Sequence, residues 1–397
     1  MVGLAGTAQA ADLAKKAPAA ADYVKVCDAY GAGFFYIPGS DTCLRIGGYV
    51  RAELRTSDHN ANGLVFGGMG YDRNEHAINT LARLHLNFDA RTNTEMGLLR
   101  SYIELRISNG SAQTGTRPVD VRAAFVQFAG LTAGRAQSNF DFVEGGYQFG
   151  IIEADSADHR VNQFAYTFAF GNGITATLAA EDQSTADATS TFGTPGGSNI
   201  VKMPDLVANV AIAQAWGRAQ LMGALHQNYS ADENATAINK LGYAIGAGVE
   251  VNLPMLGAGD RVYLQGVYSK GALGYALVNT LSRYDAAKKA DVLANVDFDA
   301  GTDKLATAWS INGGINHNFS KAVEANLGGS YASYKRPDGT NLAESYKTLV
   351  VGGDLRWKPV TGLTVGVGLD YINVDYAATG VASGSSWLGT LRVQRNF

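Results

Sequence analysis

The sequence predicts an all-β chain folded as a transmembrane antiparallel β-barrel of about 16 strands, with its third long loop turned inward. Three observations carry this. Apolar and polar residues alternate with a period of two from Cys43 almost to Phe397. Long polar connections alternate with short ones, as they do when all long loops lie at one end of a barrel. The 397 residues include 48 Gly, 19 Tyr and 16 Phe but only 8 Pro. Aromatics suit strands, Gly suits turns, and scarce Pro leaves hydrogen-bonded ladders unbroken. No apolar run reaches the roughly 18 residues that a helical span needs, which excludes a helical membrane protein. A net charge of −4 without a basic, aromatic-interleaved run gives no nucleic-acid footprint.

At the N-terminus, Ala8-Gln9-Ala10 has the small-x-small form of a signal-peptide cleavage site. Residues 1–10 read as the remnant of such a signal, and an Ala-rich disordered start is the other reading. Residues 11–41 read as an N-terminal segment on the periplasmic side, and 42–397 as the barrel. Export to an oxidising compartment would make Cys27 and Cys43 one disulfide. Two buried free thiols would serve as well, whereas a metal site lacks further ligands nearby.

Along the first strand Leu44, Ile46, Val50, Ala52 and Leu54 alternate with Arg45, Tyr49, Arg51, Glu53 and Arg55. Residues 78–91 and 99–107 repeat the pattern around a short turn at 92–94, with Arg83, His85, Asp89, Arg100 and Arg106 on the polar parity. Two strands follow around 119–140, joined at Ala129-Gly130, and then Phe164–Phe170 and Ile174–Glu181 flank Gly171-Asn172-Gly173. The remaining segments are Leu206–Ile212, Ala219–Tyr229, Leu241–Leu253, Val262–Tyr268, Leu305–Phe319, Val323–Tyr334, Leu349–Trp357, Leu363–Tyr371 and the closing run to Phe397. The long connections are 56–74, 108–118, 182–202, 230–239, 270–303, 335–345 and 375–384, with a short helix expected at Tyr284–Leu293.

Arg45, Arg51, Arg55, Arg83, Arg100, Arg106 and Arg122 share the polar parity. A dry interior could hold them only at great cost. A barrel of about 16 strands is also too wide for side chains to fill, so it holds water. The polar face therefore lines a lumen and the apolar face meets lipid, which demands closure of the last strand on the first. Trp216, Trp309, Trp357, Trp387, Tyr268, Tyr331 and Tyr371 fall near strand ends, where interfacial girdles sit. For any one of them taken singly, ordinary strand preference is the better account. Between the fifth and sixth strands, segment 141–160 carries Asp141, Glu144, Glu153, Asp155 and Asp158 against Arg160. One expectation folds it inward to set its acids across from the arginine wall. The other leaves it a solvated acidic surface loop.

Signatures of catalysis are absent. The six His residues show no metal-ligand spacing, no GxSxG elbow occurs, and no phosphate-cradling Gly motif precedes a helix. Asp297-Phe298-Asp299-Ala300-Gly301 is a poor calcium loop, with Gly misplaced and no Glu at the twelfth position.

The stretch from Val26-Cys27-Asp28-Ala29-Tyr30-Gly31 through Pro38-Gly39-Ser40-Asp41-Thr42-Cys43-Leu44-Arg45 to Gly47-Gly48-Tyr49-Val50-Arg51 resembles the opening segment of the alphaproteobacterial (rhizobial-type) outer-membrane porins. Phe125-Val126-Gln127-Phe128-Ala129-Gly130-Leu131, followed by Gly134-Arg135-Ala136-Gln137-Ser138, resembles the stretch before that family's constricting third loop. Phe170-Gly171-Asn172-Gly173 and Leu391–Phe397 fit as well. The resemblance implies a sixteen-stranded, multi-pass barrel in the bacterial outer membrane, set in its lipid and assembled as a homotrimer. It implies passive diffusion of small hydrophilic molecules and ions, with no cofactor. It also supports the paired cysteines, the inward loop, and Phe397 as a signal read by the barrel-insertion machinery. A substrate-specific channel and an outer-membrane hydrolase on a smaller barrel remain as rival readings.

Overall fold

The computed structural model describes residues 25–57, 64–66, 69–70, 78–110, 119–143, 146–149, 158–185, 202–230, 238–277, 282–285, 290–293, 297–299, 304–336, 345–377 and 383–397. Sixteen antiparallel strands form one closed barrel. They are β1 (Cys43–Ser57), β2 (Ile78–Thr94), β3 (Gly97–Gly110), β4 (Asp120–Phe128), β5 (Leu131–Gln137), β6 (Arg160–Gly171), β7 (Ile174–Asp182) and β8 (Asp205–Gln214). The second half comprises β9 (Gly217–Ser230), β10 (Ile238–Asn252), β11 (Arg261–Lys270), β12 (Thr307–Asn318), β13 (Val323–Lys335), β14 (Tyr346–Trp357), β15 (Leu363–Tyr376) and β16 (Gly384–Asn396). Each strand pairs with its sequence neighbours, and β1 pairs with β16 from Tyr49↔Asn396 to Ser57↔Leu388. Closure leaves the barrel no sheet edge, as backbone in a bilayer requires.

The short turns explain their residues. Ala129 and Gly130 both take positive φ, 47° and 90°, between β4 and β5. Asn172 and Gly173 do the same between β6 and β7, at 51° and 75°. Two consecutive left-handed residues match the twist of a tight hairpin and favour Asn and Gly.

Alternation sorts the two faces. Ile46, Val50 and Leu54 on β1, and Leu391, Val393 and Phe397 at the chain's end, are exposed on the outside. Arg51, Glu53 and Arg55 of the opposite parity turn inward and bond to one another. At the long-loop end of the barrel, Tyr268 pairs in register with Trp309, whose ring lies 5.5 Å from Tyr331, and Tyr371 lies 4.7 Å from Trp387. At the short-turn end Trp216 and Trp357 are exposed, together with Phe170 and Phe319. These are two aromatic belts, one at each interface.

The N-terminal segment is fastened to the base of β1. Cys27 and Cys43 form a disulfide across 6.0 Å between Cα atoms, in a small core with Phe34. Phe35–Tyr36 extends the sheet beside Leu44 and Cys43.

One expectation is corrected. At 284–285 and 290–293 the chain is strand, not helix. Ser282–Asp285 pairs antiparallel with Ala290–Leu293 and with Leu64–Phe66. A short isolated helix is marginal in water, whereas pairing with a strand of another external loop satisfies backbone groups. Asp297 opens the poor calcium-loop pattern. Its Oδ1 accepts the Leu273 N–H at 2.7 Å and braces the loop after β11.

Candidate functional site

Between β5 and β6, residues 138–143 and 146–149 run along the inner wall of the barrel. Both feet of this loop are buried in a polar knot. Ser138 donates its N–H to the His159 carbonyl at 2.8 Å and its hydroxyl to Glu181 on β7 at 2.7 Å. Asp141 accepts the His159 N–H at 2.7 Å and the Gln137 side-chain amide. Gln137 also donates to Asp158 at 2.8 Å. His159 is fully buried, with its Nδ1 3.7 Å from the Asp141 carboxylate. Burial alone would lower the imidazole pKa, but the charges of Asp141, Asp158 and Glu181 prevail and hold it above the ordinary value. Asp158 is pushed up, first by burial and then by Asp141.

From this knot the chain runs across one strand after another. Asn209 on β8 and Gln220 on β9 donate to the Asn139 carbonyl. Phe142 lies under the Arg218 guanidinium at 4.6 Å, and Tyr147 donates its hydroxyl to Glu250 on β10. Phe149 donates its N–H to Asp354 on β14 at 2.8 Å, and its carbonyl accepts from Arg392 on β16 at 3.1 Å. Glycines on the wall make this approach possible. A Cβ at Gly248 would stand 2.3 Å from the Phe142 ring, and one at Gly366 2.6 Å from Phe149. Neither position has room for a side chain while the loop is seated.

The facing wall is formed by β16 and β1 to β4, and it is basic with carboxylates set into it. Glu53 holds Arg55 and Arg392 at 2.8 and 2.7 Å, with Arg51 at 3.5 Å. Asp89 holds Arg100 and Arg91 at 2.8 Å each, and Arg45 at 3.9 Å. Arg106 meets Asp120 at 2.6 Å, and Arg83 donates to the Ser108 hydroxyl at 2.9 Å. Arg122 acts electrostatically on Glu104 and Asp158. Six of the seven arginines read from the sequence thus bond or pair on this wall, while Arg122 lies at the register shift between β3 and β4.

The acidic residues are placed differently from one another. Asp141 and Asp158 sit in the loop's feet, and the Asp141 side chain is almost fully buried against Gln137 and His159. Glu144, Glu153 and Asp155 lie outside the described residues. The carboxylates set among the wall arginines include Glu53 and Asp89. Arg356 and Arg392 also belong to the site, through the carbonyls of Tyr147 and Phe149. Alternation with Leu355 and Trp357, and with Leu391 and Val393, is the signal that places both on the polar face.

A closed sixteen-stranded barrel, a loop folded across its lumen and a charged wall opposite describe a constricted water-filled channel. The family described as the porin subfamily matches residues 12–390. The chain belongs to the porin subfamily. Porin Omp2b of Brucella suis biovar 1 is 28% identical, covering 99% of this chain and 96% of its own length. Porin Omp2a of Brucella ovis is 33% identical over 68% of this chain and 75% of its own. The outer membrane channel DcaP of Acinetobacter baumannii shares the fold at a TM-score of 0.73 and 15% identity, covering 91% of this chain and 99% of its own. OmpT of Vibrio cholerae, in a trimer form, matches at a TM-score of 0.52 and 8% identity, covering 90% and 100%. This porin is thus an outer-membrane protein whose barrel encloses a diffusion pore, and its family is one of channels.

Proposed function

We propose that this porin passes small hydrophilic molecules and ions down their gradients, without catalysis. Its selective point is the gap between the inward loop and the wall carrying Arg45, Arg51, Arg55, Arg83, Arg100, Arg106 and Arg122. The observation that carries the reading is the reach of residues 138–149, from Glu181 on β7 to Arg392 on β16. Such a path narrows an otherwise open lumen and brings an aromatic loop up to a cationic wall. Two charged or polar surfaces across a narrow wet gap are a recognised basis of pore selectivity.

The working unit is a homotrimer in outer-membrane lipid, a reading supported by the shared fold of the Vibrio cholerae trimer. Phe397, exposed at the end of the closing strand, is the residue offered to the insertion machinery. Residues 1–10 are the remnant of an export signal and 11–41 the periplasmic N-terminal segment. Glu144, Glu153 and Asp155 supply acidic groups of the constriction loop, while Asp141 and Asp158 secure its feet. Purified protein in planar bilayers is expected to conduct in steps. Replacing Arg51 and Arg122 together by Glu is expected to move the reversal potential in a salt gradient toward cation preference. Folded trimers that pass no ions would reject the pore, and an unmoved reversal potential would reject the charged-wall assignment.

A further inference from the structure

Near the long-loop end, the lumen face of β8 to β12 is small, mostly apolar and buried. Val207 on β8, Ala224 on β9, Ala244 on β10, Ser269 on β11 and Ala308 on β12 are successive register partners in one row. Leu206, Leu225, Tyr243, Tyr268 and Trp309, of the opposite parity, are exposed outside, so the row points inward. None of its members is more than 4% exposed. Side chains this short cannot shield one another, and in an open lumen of this width water would reach them. Another part of the chain therefore covers them.

The cover includes residues 271–277, which follow β11. Ala272, Leu273, Tyr275, Ala276 and Leu277 are buried and share one apolar cluster with Val207, Ala224, Ala244 and Ala308. The segment is fastened at its start, where Asn228 on β9 donates its side-chain amide to the Gly271 carbonyl at 2.7 Å. The Gly271 N–H bonds the Ala306 carbonyl at 2.8 Å. Tyr275 fastens the rest. Its hydroxyl donates to Asp205 on β8 at 2.7 Å and accepts from the Gln183 side chain at 2.7 Å. The other Asp205 oxygen bonds the His226 Nδ1 on β9 at 2.8 Å. The Tyr275 ring lies 4.7 Å from the Phe140 ring and 5.6 Å from His159, in the feet of the constriction loop. One side chain thus joins the barrel wall to that loop.

We propose that residues 271–277 form a second inward loop, which keeps the lumen face of β8 to β12 dry at the outer entrance, and that Tyr275 is the positioning residue tying it to the constriction loop. The proposal rests on the pore reading and names what limits the width of the entrance. With that side of the lumen filled, water and solute pass beside the opposite strands instead of along the barrel axis. Tyrosine suits the tie, because its ring supplies the apolar contact and its hydroxyl the polar one. For the feet of the constriction loop to move alone, Phe140 and His159 must leave the Tyr275 ring. For the second loop to move, the Tyr275 hydroxyl must leave a buried carboxylate, and a buried polar group without its partner is costly. The two loops therefore hold each other in place. Tyr275 touches no solute and acts through the loop it holds.

The test is thiol modification of the whole protein during single-channel recording. The two natural cysteines are joined to each other, so a cysteine introduced into the lumen is the reactive one. A244C places a thiol of nearly native size in the buried row. N79C places one on β2, where Asn79 is the register partner of Arg55 on the wet wall. A small cationic methanethiosulfonate is expected to step down the current of N79C and to modify A244C about a hundredfold more slowly, as a covered site requires. Y275F keeps the ring and loses the donor to Asp205. In the A244C background it is expected to speed modification about tenfold and to raise the conductance. A purely structural tyrosine would lower the yield without uncovering Ala244. Should that double variant not assemble, Asp205→Asn with A244C tests the same tie, because it removes the charge that Tyr275 and His226 share. Modification of A244C as fast as N79C, in a channel that conducts normally, overturns the second inward loop and leaves the pore intact. Protection of A244C unchanged by Y275F overturns the role of Tyr275. No current from folded protein before any reagent is added overturns the pore reading itself.

Discussion

Glu53 is enclosed on the lumen wall by guanidinium groups on three sides, and its side chain is fully buried. One carboxylate thereby compensates Arg55 and Arg392 and lies within ion-pair range of Arg51. Its loss would leave cations facing one another without an anion between them. Glu53→Gln keeps the shape and removes the charge. It is expected to destabilise the barrel by about 2 kcal/mol, near the value of hydrogen bonds to charged groups. The larger penalty of a dry broken pair does not apply, because the arginines keep some water. A urea titration of the folded band in detergent measures this, and an unshifted midpoint would count against it. The same substitution is expected to increase anion preference, read as a shift in reversal potential. Glu53 was visible in the sequence as one polar residue among several on its parity. Its role depends on Arg392, which is remote in the chain and becomes a neighbour only through closure of β16 on β1.

The inward loop is the element whose position depends on many others. Its acidic composition is legible in the sequence, but its path is not. The path rests on where Gly248, Gly366 and their neighbours fall on strands far downstream. Gly248→Val is expected to displace Phe142 from the wall and push the loop toward the pore axis. Single-channel conductance should fall while the barrel still assembles, and a conductance equal to wild type would show that the loop does not rest there. The feet of the loop have their own control. His159 is held above the ordinary imidazole pKa of about 6.5. A raised folded pKa means that the stabilisation is complete below the unfolded value and is lost as pH rises through the folded one. Asp158, also raised, acts with the same sign. The loop's feet are therefore expected to loosen toward alkaline pH, giving noisier open-channel current. His159→Gln should remove most of that pH dependence; an equal rise in noise in the variant would assign it to other groups.

At the scale of the whole molecule, closure is what turns an alternating sequence into a pore. The period of two from Leu44 to Phe397 made strand number, the lipid-facing set and the arginine wall legible, because a barrel of this width must be wet inside. Contacts within the external loops were not legible. Ser282–Asp285 pairs with Leu64–Phe66, remote in the sequence, and no local pattern records such a partner. The closing seam joins both kinds of information. Phe397 shares the outward parity of Leu391 and Val393, while its backbone bonds Gly48 in both directions, at 3.0 and 3.1 Å. Deleting Phe397 removes the lowest rung of the seam and the exposed terminal ring, yet leaves every lumen residue in place. Two exposed-end hydrogen bonds contribute about 1 kcal/mol each, small beside a sixteen-strand ladder. The truncated chain is therefore expected to assemble slowly and in low yield, with the few barrels that form conducting like wild type. Yield in outer-membrane fractions measures the first expectation and single-channel recording the second. Normal yield would remove Phe397 from the insertion step. Altered conductance would mean that the seam shapes the pore wall as well as closing it.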